Sequence, residues 1–184
     1  HRMARFDSLS GLPNRSYFKE LSRTFLAKTD PESFSAFFVI DIDDFKHVND
    51  SLGHPVGDEL LCRFADRINL LAEQTACFSR FGGDEFVGLL TGFAEPQDAE
   101  AAARQTLASL AGNYDIGGPH LTVTISAGIV ITRSHAFDHA QTMIKADLAL
   151  YESKARGKGI STLFADAMDE RYQKRQRLKT DLKQ

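Results

Sequence analysis

The sequence has only two cysteines, Cys62 and Cys77, and they stand at neither a metal-ligand nor a redox spacing. That excludes a disulfide framework and leaves reduced thiols in the cytoplasm as the expectation. The six histidines are scattered without ligand spacing. No apolar stretch approaches the roughly 20 residues of a membrane span, and no signal peptide opens the chain. An excess of positive charge is missing too: the net charge of −3 argues against bulk nucleic-acid affinity, which needs a basic surface. What is present is 184 residues with 42 % hydrophobic and 26 % charged content. That is the range of a single domain with a proper core.

Against this ordinary background, Arg80-Phe81-Gly82-Gly83-Asp84-Glu85-Phe86 places two glycines and two acids between aromatic rings. Glycines take positive φ and carry no Cβ, so another molecule can approach the backbone. Asp84 and Glu85 then put carboxylates at the tip of an expected hairpin, where they can hold a hard divalent cation or accept a proton. Taken alone, a plain Gly-Gly turn with solvated acids has the same composition. Forty residues upstream, the apolar run from Phe37 to Ile42 is interrupted by Asp41 and ends in Asp43 and Asp44. It reads as a central strand covered on both faces, with carboxylates where ligands of open α/β sheets bind. A buried acid needs a partner or a metal. A salt bridge would satisfy Asp41, but a second acid cluster on a neighbouring hairpin favours a shared cation.

The periodicity predicts a helix after Pro13 and Asn14 carrying Tyr17, Phe18, Leu21 and Phe25, stopped at Asp30-Pro31. A strand follows over about 34–42, then a helix over about 56–72 with Leu60, Leu61, Phe64, Ile68 and Leu71 as its stripe. Segments 77–81 and 86–90 pair as a hairpin, 96–110 is helical, and 121–131 reads as one strand. The last long helix runs over 137–156 and ends at Gly157, before a short final strand. This order predicts an α/β fold, a mixed central sheet with helices on its faces. The composition changes near Asp166, so residues 1–166 form the expected domain and 167–184 a solvated linker helix.

Six ordered stretches resemble the GGDEF domain, the diguanylate cyclase family, from about Asp7 to about Phe164. They are Asp7 to Arg15, Asp41 to Lys46, Asn49 to Asp58, Gly82 to Phe86, Asp147 to Tyr151, and Lys154 to Lys158. The resemblance implies the nucleotidyl cyclase arrangement, a ferredoxin-like core shared with the polymerase palm and bearing a GGDEF β-hairpin. It also implies condensation of two GTP into cyclic di-GMP and two pyrophosphates, by a dimer of half-sites using Mg²⁺ or, as an alternative, Mn²⁺.

Residue by residue, the resemblance assigns metal binding to Asp41, Asp84 and the Ile42 carbonyl. The base falls to Asp84 or Glu85, which the sequence does not separate, and Lys46 is expected to stabilise the triphosphate in the transition state. Asn49 and Asp58 match guanine-contacting positions, an amide and a carboxylate suiting the base's donors and acceptor. A local alternative has Asn49-Asp50-Ser51 capping the helix at about Val56. Gly53 and Gly57 fit a tight loop beside the base, with His54 lining it, while Gly82 and Gly83 would border the substrate. Lys154 and Lys158, expected one turn apart on one helix face, match positions that hold the β- and γ-phosphates. A solvated helix end with favourable dipole charges accounts for them equally locally.

Two departures qualify the resemblance. The second phosphate position is usually Arg, and Lys158 offers a point charge in place of a bidentate fork. The product-inhibition motif Arg-x-x-Asp is replaced by Glu73-Gln74-Thr75-Ala76, which removes both its charge and its acceptor. The family pattern also suggests a buried Arg15–Asp147 pair, and core packing of Phe86 and Phe81. The run from Leu163 to Arg171 resembles the link to a following EAL phosphodiesterase domain, and Arg2-Met3-Ala4-Arg5 suggests an upstream sensory segment. The expected setting is therefore cytoplasmic, in a longer signalling protein, with the cytoplasmic part of a membrane-attached protein as the alternative, and without nucleic acid. The competing reading is a GTP-binding module with little or no turnover that regulates an attached phosphodiesterase domain.

Overall fold

A computed structural model of the chain describes residues 4–73 and 75–183. Asn14 caps helix α1 (Arg15–Ala27) through its side chain, which accepts from the Tyr17 amide. The chain continues as β1 (Phe34–Ile42), α2 (Phe45–Leu52), α3 (His54–Leu71), β2 (Ala76–Gly82), β3 (Glu85–Phe93) and α4 (Pro96–Leu110). A short hairpin of β4 (Gly112–Asp115) and β5 (His120–Val123) precedes β6 (Ile125–Arg133), α5 (His139–Ala155), β7 (Ser161–Leu163) and α6 (Ala167–Asp181). The main sheet has the order β2-β3-β1-β6-β7, antiparallel except for the parallel β6–β7 pair. It is the mixed sheet with helices on its faces that the alternation of elements predicts.

Strand β1 lies at the centre, and its alternation builds both halves of the core. Ala36, Phe38, Ile40 and Ile42 face the cluster that contains α3 and α4. Phe37 and Val39 face the cluster with Phe18 of α1 and Ala146 and Leu150 of α5. Phe86 is fully buried with its ring 4.8 Å from Phe64, and Phe81 packs edge-on against Phe18.

Several elements differ from the sequence reading. Helix α2 is unforeseen, although Phe45, Val48 and Leu52 carry helical spacing; its eight residues are too short for a full stripe. Helix α3 starts at His54 with Gly53 as its cap and no side-chain capping bond, so Asn49-Asp50-Ser51 is not its cap. Gly57 lies inside that helix instead of in a loop. The run 121–131 is two strands in different sheets, split at Thr124. Helix α5 ends at Ala155, so Lys158 lies beyond it at φ 65, not one turn along its face. Ala4 and Arg5 form a turn; Arg2, Met3, Gln74 and Gln184 lie outside the described residues.

Helix α6 is seated, not merely solvated. Met168 is buried, Tyr172 packs edge-on to Tyr151 at 5.3 Å, and Arg171 donates to the buried Glu152 at 2.9 Å. Among the described residues no helix is long and apolar enough to cross a membrane.

Candidate active site

The site forms where β1 ends against the β2–β3 hairpin. Register pairs Asp41 with Glu85, and the Ile42 amide donates to the Asp84 carbonyl at 3.4 Å. The tip that carries both acids is thereby fixed against the end of the central strand. Gly82 (φ 128) and Gly83 (φ 51) make the tip possible, since both need left-handed backbone. A guanidinium completes the turn: Arg80 donates to the Gly83 carbonyl at 2.7 and 3.0 Å and to Asp7 at 2.9 Å.

A cavity of about 300 Å³ opens at this junction, and Asp41, Ile42, Asp84, Lys46, Lys154 and Lys158 line it. Sequence reasoning had named all six. His47, at a helical position too polar to stand out, also lines the cavity and was missed; Asp44, read from the sequence as one of the acids at the ligand-binding strand end but given no role, lines it too. Lys154 sits on the Asp41 carboxylate, and Lys158 Nζ lies 2.9 Å from Asp44 Oδ1. Asp43 is otherwise engaged, accepting from Ser126 Oγ at 2.6 Å, Thr124 Oγ1 at 2.8 Å and the Gly159 amide at 2.9 Å. It anchors the turn after α5 to the strand end.

The acids repel one another. Burial, and then the neighbouring Asp41, push the Asp84 carboxyl above the usual range. Burial followed by Asp147 and Asp41 does the same to Glu85, and burial followed by Asp41 raises Asp147. Arg15 relieves the last two only from a distance. It is exposed and lies over the Phe81 ring, 4.4 Å from its centroid, and forms no ion pair with Asp147. The expected buried pair is thus not made; stacking on an aromatic face holds the guanidinium instead.

The remaining candidates stand apart from the cavity. Asn49, one turn beyond Lys46 on α2, has a buried Oδ1 with no hydrogen-bond partner. It rests in space left by Gly57, where a Cβ would collide with Asn49 Oδ1 and crowd Phe45. Asp58, the next residue, and His54 are exposed on the first turns of α3. Gly82 borders a different cavity, and no atom lies within 4 Å of where a Cβ on Gly82 or Gly83 would stand.

Among the described residues no three His, Cys, Asp or Glu side chains gather to hold an ion. The donors available are two carboxylates, Asp41 and Asp84, and a main-chain carbonyl. Such a set fits Mg²⁺, which takes one or two carboxylates and completes its shell with water and phosphate oxygens. Asp41 accepts the ammonium of Lys154, the salt bridge that the sequence offers as its alternative, so a metal ion at this point has to displace that ammonium.

A sequence profile described as "Diguanylate cyclase, GGDEF domain" matches residues 4–159. The chain belongs to the GGDEF family. It is 32 % identical over 185 residues to the bifunctional diguanylate cyclase/cyclic di-GMP phosphodiesterase MucR of Pseudomonas aeruginosa, covering 100 % of this chain and 27 % of MucR. It is 35 % identical over 158 residues to the diguanylate cyclase TpbB of the same species, covering 85 % of this chain and 36 % of TpbB. The solved GGDEF domain of TpbB superposes with a TM-score of 0.81 at 33 % identity, over 91 % of this chain and 99 % of that one. The chain thus spans about a third or less of these curated relatives, and the palm-like cyclase fold is the one its sheet and helices adopt.

Proposed function

We propose that this domain condenses two GTP molecules into cyclic di-GMP with release of two pyrophosphates, as a homodimer in which each copy presents one nucleotide. The observation that carries the reading is the convergence of Asp41, Asp84, Lys46, Lys154 and Lys158 on one cavity at the end of β1. Each bond requires a ribose 3′-hydroxyl to attack an α-phosphorus in line, and the protein's task is positioning and charge neutralisation. Mg²⁺ or Mn²⁺ held by Asp41, Asp84 and the Ile42 carbonyl would supply charge neutralisation and activation of the hydroxyl.

The chain's own groups divide the remaining work. Lys154 and Lys158 exchange their carboxylate partners for the β- and γ-phosphates, and Lys46 meets charge developing on the triphosphate. The raised carboxyls of Asp84 and Glu85 suit acceptance of the hydroxyl proton, at one or the other. Asn49, with its unpartnered Oδ1, and Asp58 read the guanine edge, and His54 lies beside them. Adenine would leave those groups unpaired, which gives the site its selectivity. The domain works in the cytoplasm, joined to sensory and EAL domains.

The test is to incubate the dimerised or full-length protein with GTP and Mg²⁺ and to assay cyclic di-GMP. Product that disappears in Asp84→Asn supports the cyclase. The second reading, a GTP-binding regulator of an attached phosphodiesterase, is favoured by a likeness over the whole of this chain, α6 included, to the cyclic di-GMP phosphodiesterase NbdA of Pseudomonas aeruginosa, at 30 % identity. Saturable GTP binding without product, coupled to altered phosphodiesterase activity, would select it.

A further inference from the structure

A second cavity, of about 790 Å³, shares no lining residue with the cleft. Its walls come from the N-terminal turn, α1, the end of β2 and the start of α5. Phe81, Met143 and Ile144 give it an apolar surface, and Ile144 is 61 % exposed. Three cations, Arg15, Lys19 and Arg80, face one carboxylate, Asp7, in a chain whose net charge is −3. Arg80 is committed to Asp7 and the Gly83 carbonyl, but Arg15 and Lys19 enter no ion pair among the described residues. His139 also lines the cavity, and its Nδ1 is buried without a hydrogen-bond partner. Its ring is held in place by Phe18, Phe37 and Phe137, at centroid distances of 6.0, 6.4 and 6.3 Å.

Each feature is costly or idle by itself. An unpartnered buried nitrogen loses the free energy of its hydrogen bond to water. Two unpaired cations beside an open apolar wall repel each other and attract anions. We propose that this cavity binds a phosphate ester carrying a ring-shaped body, the chemical class of a nucleotide, at a second site independent of the cleft. Arg15 and Lys19 take the phosphate, the ring rests on Met143 and Ile144, and a polar edge of the ligand meets His139. Because Arg80 lines this cavity and also grips Gly83, occupancy reaches the turn that carries Asp84 and Glu85.

The experiment titrates GTP and inorganic pyrophosphate into the protein in EDTA, following the His139 imidazole resonances by NMR with calorimetry in parallel. Saturable GTP binding that moves those resonances is expected, with pyrophosphate weaker because it lacks the ring. Lys19→Glu and Arg15→Ala should each weaken the binding, the charge reversal by about tenfold, while Lys154→Ala leaves it unchanged. Lys19 is exposed, so its reversal should fold normally. Unmoved His139 resonances, pyrophosphate equal to GTP, or binding that fails in Lys154→Ala but survives Lys19→Glu would each overturn the proposal. Metal-dependent GTP binding at the cleft is read separately in Mg²⁺, where Lys154→Ala and not Lys19→Glu should abolish it.

Discussion

Asn49 Oδ1 occupies the space that a Cβ on Gly57 would need, so the buried amide of α2 depends on the missing side chain of α3. Gly57→Ala must rotate Asn49 away. The cost of a strained rotamer, about 0.5–1.5 kcal/mol, is nearly offset by the helix propensity gained, about 1 kcal/mol. Thermal stability should therefore change little, while affinity for GTP falls about tenfold or more. Equal GTP affinity in this variant, measured by calorimetry, would remove Asn49 from the base site.

Lys158 holds Asp44 in an exposed ion pair, with both residues at positive φ. Such a pair is weak and readily exchanged. Lys158→Arg should tighten GTP binding in Mg²⁺ by a few-fold, because the planar fork grips phosphate at two points. A fluorescent GTP analogue provides the readout, and an unchanged dissociation constant would mean that this position does not touch phosphate.

The Asp7–Arg80 pair has side chains only 18 % and 12 % exposed. Burial alone would push the Asp7 carboxyl up, but hydrogen bonds from Ser10 and then Arg80 outweigh it and hold it below the ordinary range. A lowered carboxylate stabilises the fold above its unfolded value of about 3.9, and that stability is lost as pH falls through the lower folded value. Arg80→Ala should cost about 2–4 kcal/mol at neutral pH, and the gap to the parent protein should close below about pH 3.9. Urea unfolding at a series of pH values tests both statements; a gap constant with pH would mean the loss is only packing.

Arg171→Ala should release α6. Glu152 is 6 % exposed and would keep only Arg156, whose Nε lies 3.6 Å away. Faster amide exchange across α6 is expected, with a stability loss of about 1–3 kcal/mol. Exchange confined to the last turn would show that Met168 and the Tyr151–Tyr172 contact seat the helix without the ion pair.

The cleft was legible because its parts are local patterns: an apolar strand ending in Asp41, and two glycines before Asp84. Those patterns survive folding because register, Asp41 against Glu85, is set by the same alternation that buries Phe38 and Ile40. What escaped the sequence has no local mark. Asp7 and Arg80 are 73 positions apart, and nothing near either predicts their meeting. Thr124 divides two sheets inside an unbroken alternation of β-forming residues. Arg15 found an aromatic face where a carboxylate was expected, because Phe81 lies beside it while Asp147 is reached only through space.

The proposed base-reading residues sit on α2 and α3, whereas the reacting end is built from β1, the hairpin and the exit of α5. Of the residues given a part in the chemistry, Lys46 is the one that shares a helix with Asn49. Under those roles, letter and chemistry are written on separate pages of the fold. An engineer could rewrite residues 49–58 for another nucleobase and leave the machinery of bond formation untouched.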